Sequence, residues 1–187
     1  MGDLPGLRPT PDRVRETLFN WLGQTLTGWR CLDLFAGSGA LGLEAASRGA
    51  ARVDLVERDR RIAAALTQAC TRLHVEGVRV HALDALAFAA RAADASYDLV
   101  FVDPPYADAL QRTALAHAAR LLDDGGLAYV EAPDAAQLAD CIDPAAWAVQ
   151  RSAHAGDVHY ALLRRLPRVR DAAGLDLRVA QDGSPTC

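Results

Sequence analysis

The residues best suited to do chemistry form the run Asp103-Pro104-Pro105-Tyr106, which follows an apolar segment of strand length. The prolines stiffen the chain and lack an N–H group, so this loop presents only hydrogen-bond acceptors, namely its carbonyls and the Asp103 carboxylate. A primary amine on a base offers two N–H donors, which Asp103 and the Pro104 carbonyl could hold while the nitrogen lone pair stays available. Tyr106 offers a face on which an extruded base could stack. The run therefore predicts a catalytic site for an exocyclic amine.

A glycine-rich turn is the second candidate site, because Gly37, Gly39 and Gly42 have the spacing GxGxxG after an earlier apolar run. Glycines let a turn close tightly and let a ligand approach the backbone at a helix N-terminus. This spacing alone also fits an enzyme that binds a dinucleotide. Asp33 lies four residues before Gly37, at the carboxyl end of the strand that this run predicts. A carboxylate there suits the ammonium group of a methionine moiety and would repel a pyrophosphate. We therefore predict a site for a cationic adenosyl ligand, S-adenosyl-L-methionine.

Carboxylates also end the next two predicted strands. Glu57 could accept hydrogen bonds from both ribose hydroxyls, with a solvated strand end as the alternative. Asp84 could reach the adenine amino group, or it could simply cap the helix that follows. Because the carboxyl ends of parallel strands open on one crevice, these carboxylates would line the same pocket as Asp33. The neighbouring residues assigned to this cofactor site are Phe35, Ser38 and Ala85. No metal is expected.

The elements that must position these residues are predicted from alternating apolar and helical segments. Apolar runs of strand length occupy 31–35, 53–56, 78–83, 99–102 and 127–130, and helical stretches occupy 8–22, 41–47, 60–73, 85–92 and 109–122. Such alternation predicts a parallel sheet with helices on both faces. Two further runs, 147–153 and 159–166, predict an antiparallel hairpin. The expected fold is α/β and Rossmann-like, similar to the seven-stranded class I S-adenosylmethionine-dependent methyltransferase fold.

Length and composition limit the organisation and the setting of the chain. With 187 residues, 51% of them hydrophobic, we expect a single domain over 1–166 and a disordered tail over 167–187. Residues 6–22 would cover the cofactor, and residues 30–166 would form the core. No apolar run approaches the roughly 18 residues that span a bilayer, the start has no signal-peptide pattern, and the four cysteines form no CxxC pair. We therefore expect a cytoplasmic protein with no membrane partner.

With these residues in view, the chain resembles a family of bacterial methyltransferases that form N2-methylguanine in 16S ribosomal RNA. The resemblance covers about residues 6–166, and the segments that carry it are Gly6-Leu7-Arg8-Pro9-Thr10, then 12–22, 35–45 and 101–105. The first two segments carry the most weight, because the glycine turn and the Asp-Pro-Pro-Tyr run are shared more widely among nucleotide-binding and methyl-transferring enzymes.

This resemblance implies a reaction and a partner. A methyl group would pass from S-adenosyl-L-methionine to the exocyclic N2 amine of a guanine, leaving S-adenosyl-L-homocysteine. It further implies that Thr10 and Arg13 hold the cofactor or the helix above it, whereas the residues alone leave Arg13 as part of an amphipathic cover. The implied partner is 16S ribosomal RNA within an assembled or assembling small ribosomal subunit. We expect the enzyme to act as a monomer.

The sequence departs from that family at its start. Family members carry a basic stretch ahead of the Gly-Leu-Arg-Pro segment, whereas five residues precede Gly6 here. The formal net charge is −4, which does not indicate a nucleic-acid partner, although a sum over the whole chain can conceal a basic face. Either the start of the chain is assigned too far downstream, or the protein works without that element, whose absence would affect the affinity for RNA more than the chemistry.

Other functions fit part of the pattern. A DNA adenine-N6 methyltransferase would use the same chemistry at Asp103–Tyr106, but it usually needs a separate recognition domain. A protein-glutamine methyltransferase would more naturally carry Asn than Asp at position 103. A nicotinamide-dependent oxidoreductase explains the glycine turn and Glu57 but leaves Asp33 and Asp103 without a role. A module that binds the cofactor without catalysis would not need Asp103 and Tyr106.

Overall fold

The computed structural model describes residues 12–106 and 109–167. Thr10 and the predicted disordered tail beyond Pro167 lie outside the described residues. The strands are β1 (Arg30–Asp33), β2 (Arg52–Val56), β3 (Val78–His81), β4 (Tyr97–Val102), β5 (Leu122–Ala132), β6 (Trp147–Ala155) and β7 (Val158–Arg165). The helices are α1 (Asp12–Leu22), α2 (Ala40–Ser47), α3 (Arg60–Arg72), α4 (Ala85–Arg91), α5 (Gln111–Leu121) and α6 (Ala135–Cys141). Within these ranges no helix is long and apolar enough to cross a membrane.

All of these strands belong to one sheet, in the order β3-β2-β1-β4-β5-β7-β6. β1 pairs in parallel with both β2 and β4, and this register sets Asp33 beside Leu55 and Phe101. β7 lies antiparallel between β5 and β6. The predicted topology, a mostly parallel sheet that ends in an antiparallel hairpin, is therefore confirmed.

Each face of the sheet packs against its own hydrophobic cluster, because side chains alternate along a strand. On one face, Phe19 and Leu18 of α1 pack in a cluster with Phe101 of β4. On the other face, Leu115 of α5 packs in a cluster with Val100 of the same strand. The sheet is thus covered on both sides, as the apolar runs of its central strands predict. Because Phe101 lies one residue before the end of β4, α1 packs beside the carboxyl end of that strand.

The bounds of several elements differ from those predicted. β1 ends at Asp33 instead of continuing to Phe35, because the chain leaves the sheet there to form the glycine turn. β5 runs on to Ala132, two residues beyond the predicted end, because it also pairs with β7. Helix α6 was not predicted. It has 7 residues and is started by Asp134, whose side chain accepts a hydrogen bond from the Gln137 N–H at 2.8 Å.

Candidate active site at the carboxyl edge of the sheet

The order of strands reverses between β1 and β4, and sheets of this type bind ligands in the crevice at such a reversal. Asp33 is the last residue of β1, and Asp103 directly follows Val102, the last residue of β4. Glu57 follows the last residue of β2. Carboxylates that were predicted from separate motifs are therefore brought to one edge of the sheet.

Asp33 is almost fully buried, with 2% of its surface exposed. Its Oδ2 atom accepts a hydrogen bond from the Gly42 N–H at 3.1 Å. Burial raises the pKa of Asp33 to about 7, with the charges of Glu57 and Glu131 adding to the effect and backbone hydrogen bonds from Gly42 and Phe35 opposing it. A carboxyl group that is this costly to ionise would be stabilised as an anion by a neighbouring cation.

The glycine turn is required by backbone geometry and by close packing. Gly39 has φ of 79°, a left-handed conformation that side-chain-bearing residues rarely adopt. A Cβ atom at Gly42 would lie 2.1 Å from Leu55 Cδ2, so only glycine lets α2 pack this closely on β2. The turn thereby brings the backbone of α2 against the Asp33 carboxylate.

Glu57 is tied to the same turn through its carboxylate. Its Oε2 atom accepts a hydrogen bond from the Gly37 N–H at 3.0 Å, and its Oε1 atom accepts one from the Asp59 N–H at 2.7 Å. Each carboxylate oxygen can accept two hydrogen bonds. Glu57 can therefore hold the turn in place and still accept bonds from a ribose, and the solvated strand end is not what the structure has.

The remaining residues assigned to the cofactor site are placed around this centre. Asp84 is exposed and caps α4, since its Oδ1 atom accepts a hydrogen bond from the Ala87 N–H at 2.9 Å. Asp84 therefore makes the capping contact that was the alternative interpretation, and its contact with an adenine remains a prediction. Ala85 is buried in the first turn of α4, Phe35 is half-buried, and Ser38 is exposed. Arg13 is exposed at the start of α1.

The residues of the Asp103 loop differ in how far they are exposed to solvent. Pro104 is buried, Pro105 is exposed, and both Asp103 and Tyr106 are partly exposed. Burial of its carboxyl group raises the pKa of Asp103 well above its usual range, and the charges of Glu131 and Asp33 raise it further. The charge of Asp33 thus raises the pKa of Asp103, as expected for carboxyl groups at the ends of the adjacent strands β1 and β4.

Glu131 belongs to this site although the sequence argument did not single it out. It lies in β5 one residue beyond Val130, which pairs with Val102 of β4, and 3% of its surface is exposed. Its Oε1 atom accepts a hydrogen bond from the Tyr129 hydroxyl at 2.7 Å. The rule that selected Glu57 and Asp103, a carboxylate directly after a predicted parallel strand, would also have selected Glu131, because it directly follows the predicted strand 127–130.

A row of aromatic rings supports these carboxylates. Phe101 lies 6.2 Å from Phe19 and 6.4 Å from Tyr129, measured between ring centroids. Tyr160 continues the row at 6.1 Å from Tyr129 and 5.4 Å from Trp21. Since Phe19 and Trp21 belong to α1, that helix closes the row from outside the sheet. The apolar surroundings explain why ionisation at this edge is costly.

The contacts fit a cationic adenosyl ligand better than a dinucleotide. A pyrophosphate at the glycine turn would face the carboxyl groups of Asp33 and Glu57, which accept hydrogen bonds from the Gly42 and Gly37 N–H groups of that turn, and repulsion between like charges would oppose it. An ammonium or a sulfonium group would instead be attracted by the same groups. Across the described parts of the chain, no group of three or more His, Cys, Asp or Glu side chains is arranged to hold a metal ion.

Comparison with known proteins gives consistent similarities. The sequence profile of a family described as Conserved hypothetical protein 95 matches residues 1–164. The protein named Ribosomal RNA small subunit methyltransferase D from Escherichia coli (strain K12) is 44% identical over 169 residues, which cover 87% of this chain and 82% of that protein.

Solved structures extend the similarity to the fold. The structure of yhhF from Escherichia coli superposes with a TM-score of 0.76 at 41% identity, and the match covers 88% of this chain and 90% of that one. SMU.776, a methyltransferase fold solved in complex with SAH, gives a TM-score of 0.71 at 16% identity, covering 88% of this chain and 51% of that one. At that identity the likeness concerns the fold alone. The predicted class I methyltransferase fold is confirmed.

Proposed function

The chain belongs to the ribosomal RNA small subunit methyltransferase D family, and on this premise we propose that it methylates the N2 amine of a guanine in 16S ribosomal RNA. The methyl donor is S-adenosyl-L-methionine, and S-adenosyl-L-homocysteine is the product. The observation that carries the proposal is the pairing of two sites at one sheet edge. Asp33, beside the glycine turn, and Asp103, in a loop that offers only acceptors, lie at the ends of the adjacent strands β1 and β4, and the charge of Asp33 raises the pKa of Asp103.

The donor side of the site is formed by the turn between β1 and α2. Bound there, S-adenosyl-L-methionine supplies a methyl group made electrophilic by its sulfonium. Asp33 lies where a carboxylate would attract the ammonium group of the methionine moiety, and Glu57 lies where it would accept hydrogen bonds from the ribose hydroxyls. Asp84 and Ala85, at the start of α4, complete the adenine end. Phe35, Gly37 and Ser38 form the intervening wall, with Thr10 and Arg13 assigned to its cover.

The acceptor side is formed by the loop after β4. Asp103 and the Pro104 carbonyl accept the two N–H hydrogens of the guanine amine, which turns the nitrogen lone pair toward the methyl group. Pro105 keeps the loop stiff and Tyr106 provides the stacking surface for the extruded base. The free amine is a weak nucleophile because its lone pair is delocalised into the ring. Positioning and hydrogen bonding therefore supply much of the acceleration.

The proposed setting of the reaction rests on the small size of the methyltransferase domain. A domain of this length offers little surface for reading an RNA sequence, so the base is best presented by a preformed surface, the assembled or assembling small subunit. We propose that the enzyme acts on that particle in the cytoplasm and as a monomer.

The proposal is tested by methyl transfer from labelled S-adenosyl-L-methionine to unmodified 30S subunits, naked 16S RNA and unmethylated duplex DNA, with the product nucleoside identified by mass spectrometry. The expected product is N2-methylguanosine, formed faster on 30S subunits than on naked RNA. A parallel reaction with Asp103→Asn measures transfer that does not depend on the site. N6-methyladenine from DNA, or no transfer by a protein that binds S-adenosyl-L-homocysteine, would contradict the proposal.

A further inference from the structure

Glu131 is the buried acidic residue of the site to which neither motif assigns a role. The register of β4 and β5 pairs Phe101 with Tyr129 and Val102 with Val130, so Asp103 and Glu131 each follow the last pair by one residue. Residues two apart on a strand share a face, which places Glu131 on the face of Tyr129. Because the strand order is β1-β4-β5, Glu131 lies on the far side of Asp103 from the glycine turn.

The carboxylate of Glu131 is held rather than solvated. Its Oε1 atom accepts a 2.7 Å hydrogen bond from the Tyr129 hydroxyl, and Tyr129 itself is fully buried. Glu131 pairs across the sheet with Tyr160 of β7, whose ring is 6.1 Å from that of Tyr129. The Tyr129 hydroxyl thus fixes the position of a buried acidic side chain, one residue beyond the last pair of β4 and β5.

We propose that Glu131 is a positioning residue for the methyl transfer, which acts through Asp103 by increasing the readiness of that carboxylate to take the amine's surplus proton. The proposal rests on the proposed function, because it assumes an amine held at Asp103. It also assigns Glu131 of β5 a function that a residue serving only to stabilise the fold would not have.

The methyl transfer conserves electrons and protons. The nitrogen lone pair forms the new N–C bond, and the C–S bond breaks with its electron pair going to sulfur, which becomes a neutral thioether. Positive charge therefore moves from the donor side to the amine nitrogen. The proton that leaves this nitrogen passes to the Asp103 carboxylate, and the methylated amine keeps its remaining hydrogen. A second carboxylate beyond Asp103 favours this movement of charge and strengthens Asp103 as the proton acceptor.

The described groups that set the proton affinity of Asp103 come from several elements. Burial raises the pKa of Asp103, and the charges of Glu131 on β5 and Asp33 on β1 raise it further. The charges of Glu57, after β2, and of Glu131 in turn raise the pKa of Asp33. The charges of Glu131, Asp103 and Tyr160 also raise the pKa of the Tyr129 hydroxyl. Removing the charge of Glu131 therefore lowers the pKa of both Asp33 and Asp103.

The first test needs only the full chain and S-adenosyl-L-homocysteine, titrated calorimetrically near pH 7 in two buffers of different ionisation enthalpy. Binding of the ligand's ammonium group should expel protons from the partly protonated carboxyl groups. Glu131→Gln keeps the shape but removes the charge, so its carboxyl groups are already more ionised, and it should release about half as many protons or fewer. Glu131→Asp keeps the charge and should release as many protons as the original protein. The matched control is Glu76→Gln, at an exposed position after α3.

The second test is the pH profile of kcat on 30S subunits. Because ionised Asp103 is needed to hold the amine, the acidic limb should move to lower pH by about one unit in Glu131→Gln, and the plateau should fall. Glu131→Asp should restore the midpoint of the limb. Unchanged proton release and an unchanged limb, even with a lower kcat, would show a purely structural Glu131 and overturn the inference. A protein that binds no S-adenosyl-L-homocysteine at all would overturn the proposed function instead.

Discussion

Asp33 and Asp54 lie on neighbouring strands, and each has 2% of its surface exposed, yet the pKa values of their carboxyl groups shift in opposite directions. Asp54 is 2.7 Å from His81 Nε2 and accepts hydrogen bonds from Arg52 Nε at 2.7 Å and the Tyr97 hydroxyl at 2.9 Å. Although burial opposes it, these partners lower the pKa of Asp54 below its usual range. Burial instead raises the pKa of Asp33 to about 7.

The difference lies in what each carboxylate meets inside the protein. Asp54 is satisfied by side chains of β2, β3 and β4, so it ties strands together and needs nothing from outside. Asp33 is bonded by backbone N–H groups and faces other carboxylates, so its charge is best balanced by a ligand. Burial alone does not mark a functional residue. The identity of its neighbours does.

The largest expected effect is that of Asp103→Asn, at a second carboxyl group of the candidate site. The amide adds N–H donors where the acceptor amine brings its own, so kcat should fall by about 10³-fold. Affinity for S-adenosyl-L-homocysteine, measured by calorimetry, should change by about threefold at most, because Asp103 lies on the acceptor side. A loss of affinity as large as the loss of kcat would place Asp103 on the donor side of the site.

The second prediction concerns pH and the sign of the Asp33 contribution to stability. Between about pH 4 and pH 7 the folded chain keeps a proton on Asp33 that the unfolded chain has lost, so the free energy of unfolding falls as pH rises through this window. Asp33→Asn removes this penalty. Without ligand, its stability in urea should exceed that of the original protein at pH 8 by on the order of 1–4 kcal/mol, and should match it near pH 4. The same excess at both pH values would contradict the assignment.

Asp54→Asn should have the opposite sign and a smaller size. The substitution leaves Arg52, His81 and Tyr97 without their shared anion, so the free energy of unfolding should drop by about 2 kcal/mol at pH 7. Since the pKa of Asp54 is lowered in the folded chain, this contribution should be present at neutral pH and should be lost as pH falls through the lowered folded pKa. Urea unfolding at pH 7 and pH 3 measures it. Stabilisation at pH 7 would mean that Asp54 resembles Asp33 after all.

The smallest expected effect is on the ribose end of the site. Glu57→Gln keeps one acceptor oxygen but replaces the other with a donor, which cannot accept from the Gly37 or Asp59 N–H. Affinity for S-adenosyl-L-homocysteine should fall by about tenfold, as expected for one lost charged hydrogen bond. The matched control is Glu44→Gln, because the Glu44 carboxylate pairs with Arg48, directly after α2, and this variant should leave affinity unchanged. Equal affinities for the two variants would remove Glu57 from the ribose.

Much of the fold was predictable because its signals are local. Alternating apolar and helical segments predicted the parallel strands and the terminal hairpin, and the structure confirms both. The glycine turn was predictable because its backbone conformation depends on Gly39 itself. Short α6 and the extension of β5 were missed, since the first depends on its capping residue and the second on pairing with β7.

The sequence by itself determined the chemistry available at each strand end, since Asp33 and Asp103 are fixed by motifs only a few residues long. The tertiary structure decided which of these groups meet. Asp103 and Glu131 are neighbours because β4 and β5 pair in register, and no pattern within either segment encodes that distance. The proton affinities are likewise tertiary, because burial and neighbouring charges come from elements far apart in the chain. Asp33 and Asp54, identical as residues and equally buried, differ for that reason.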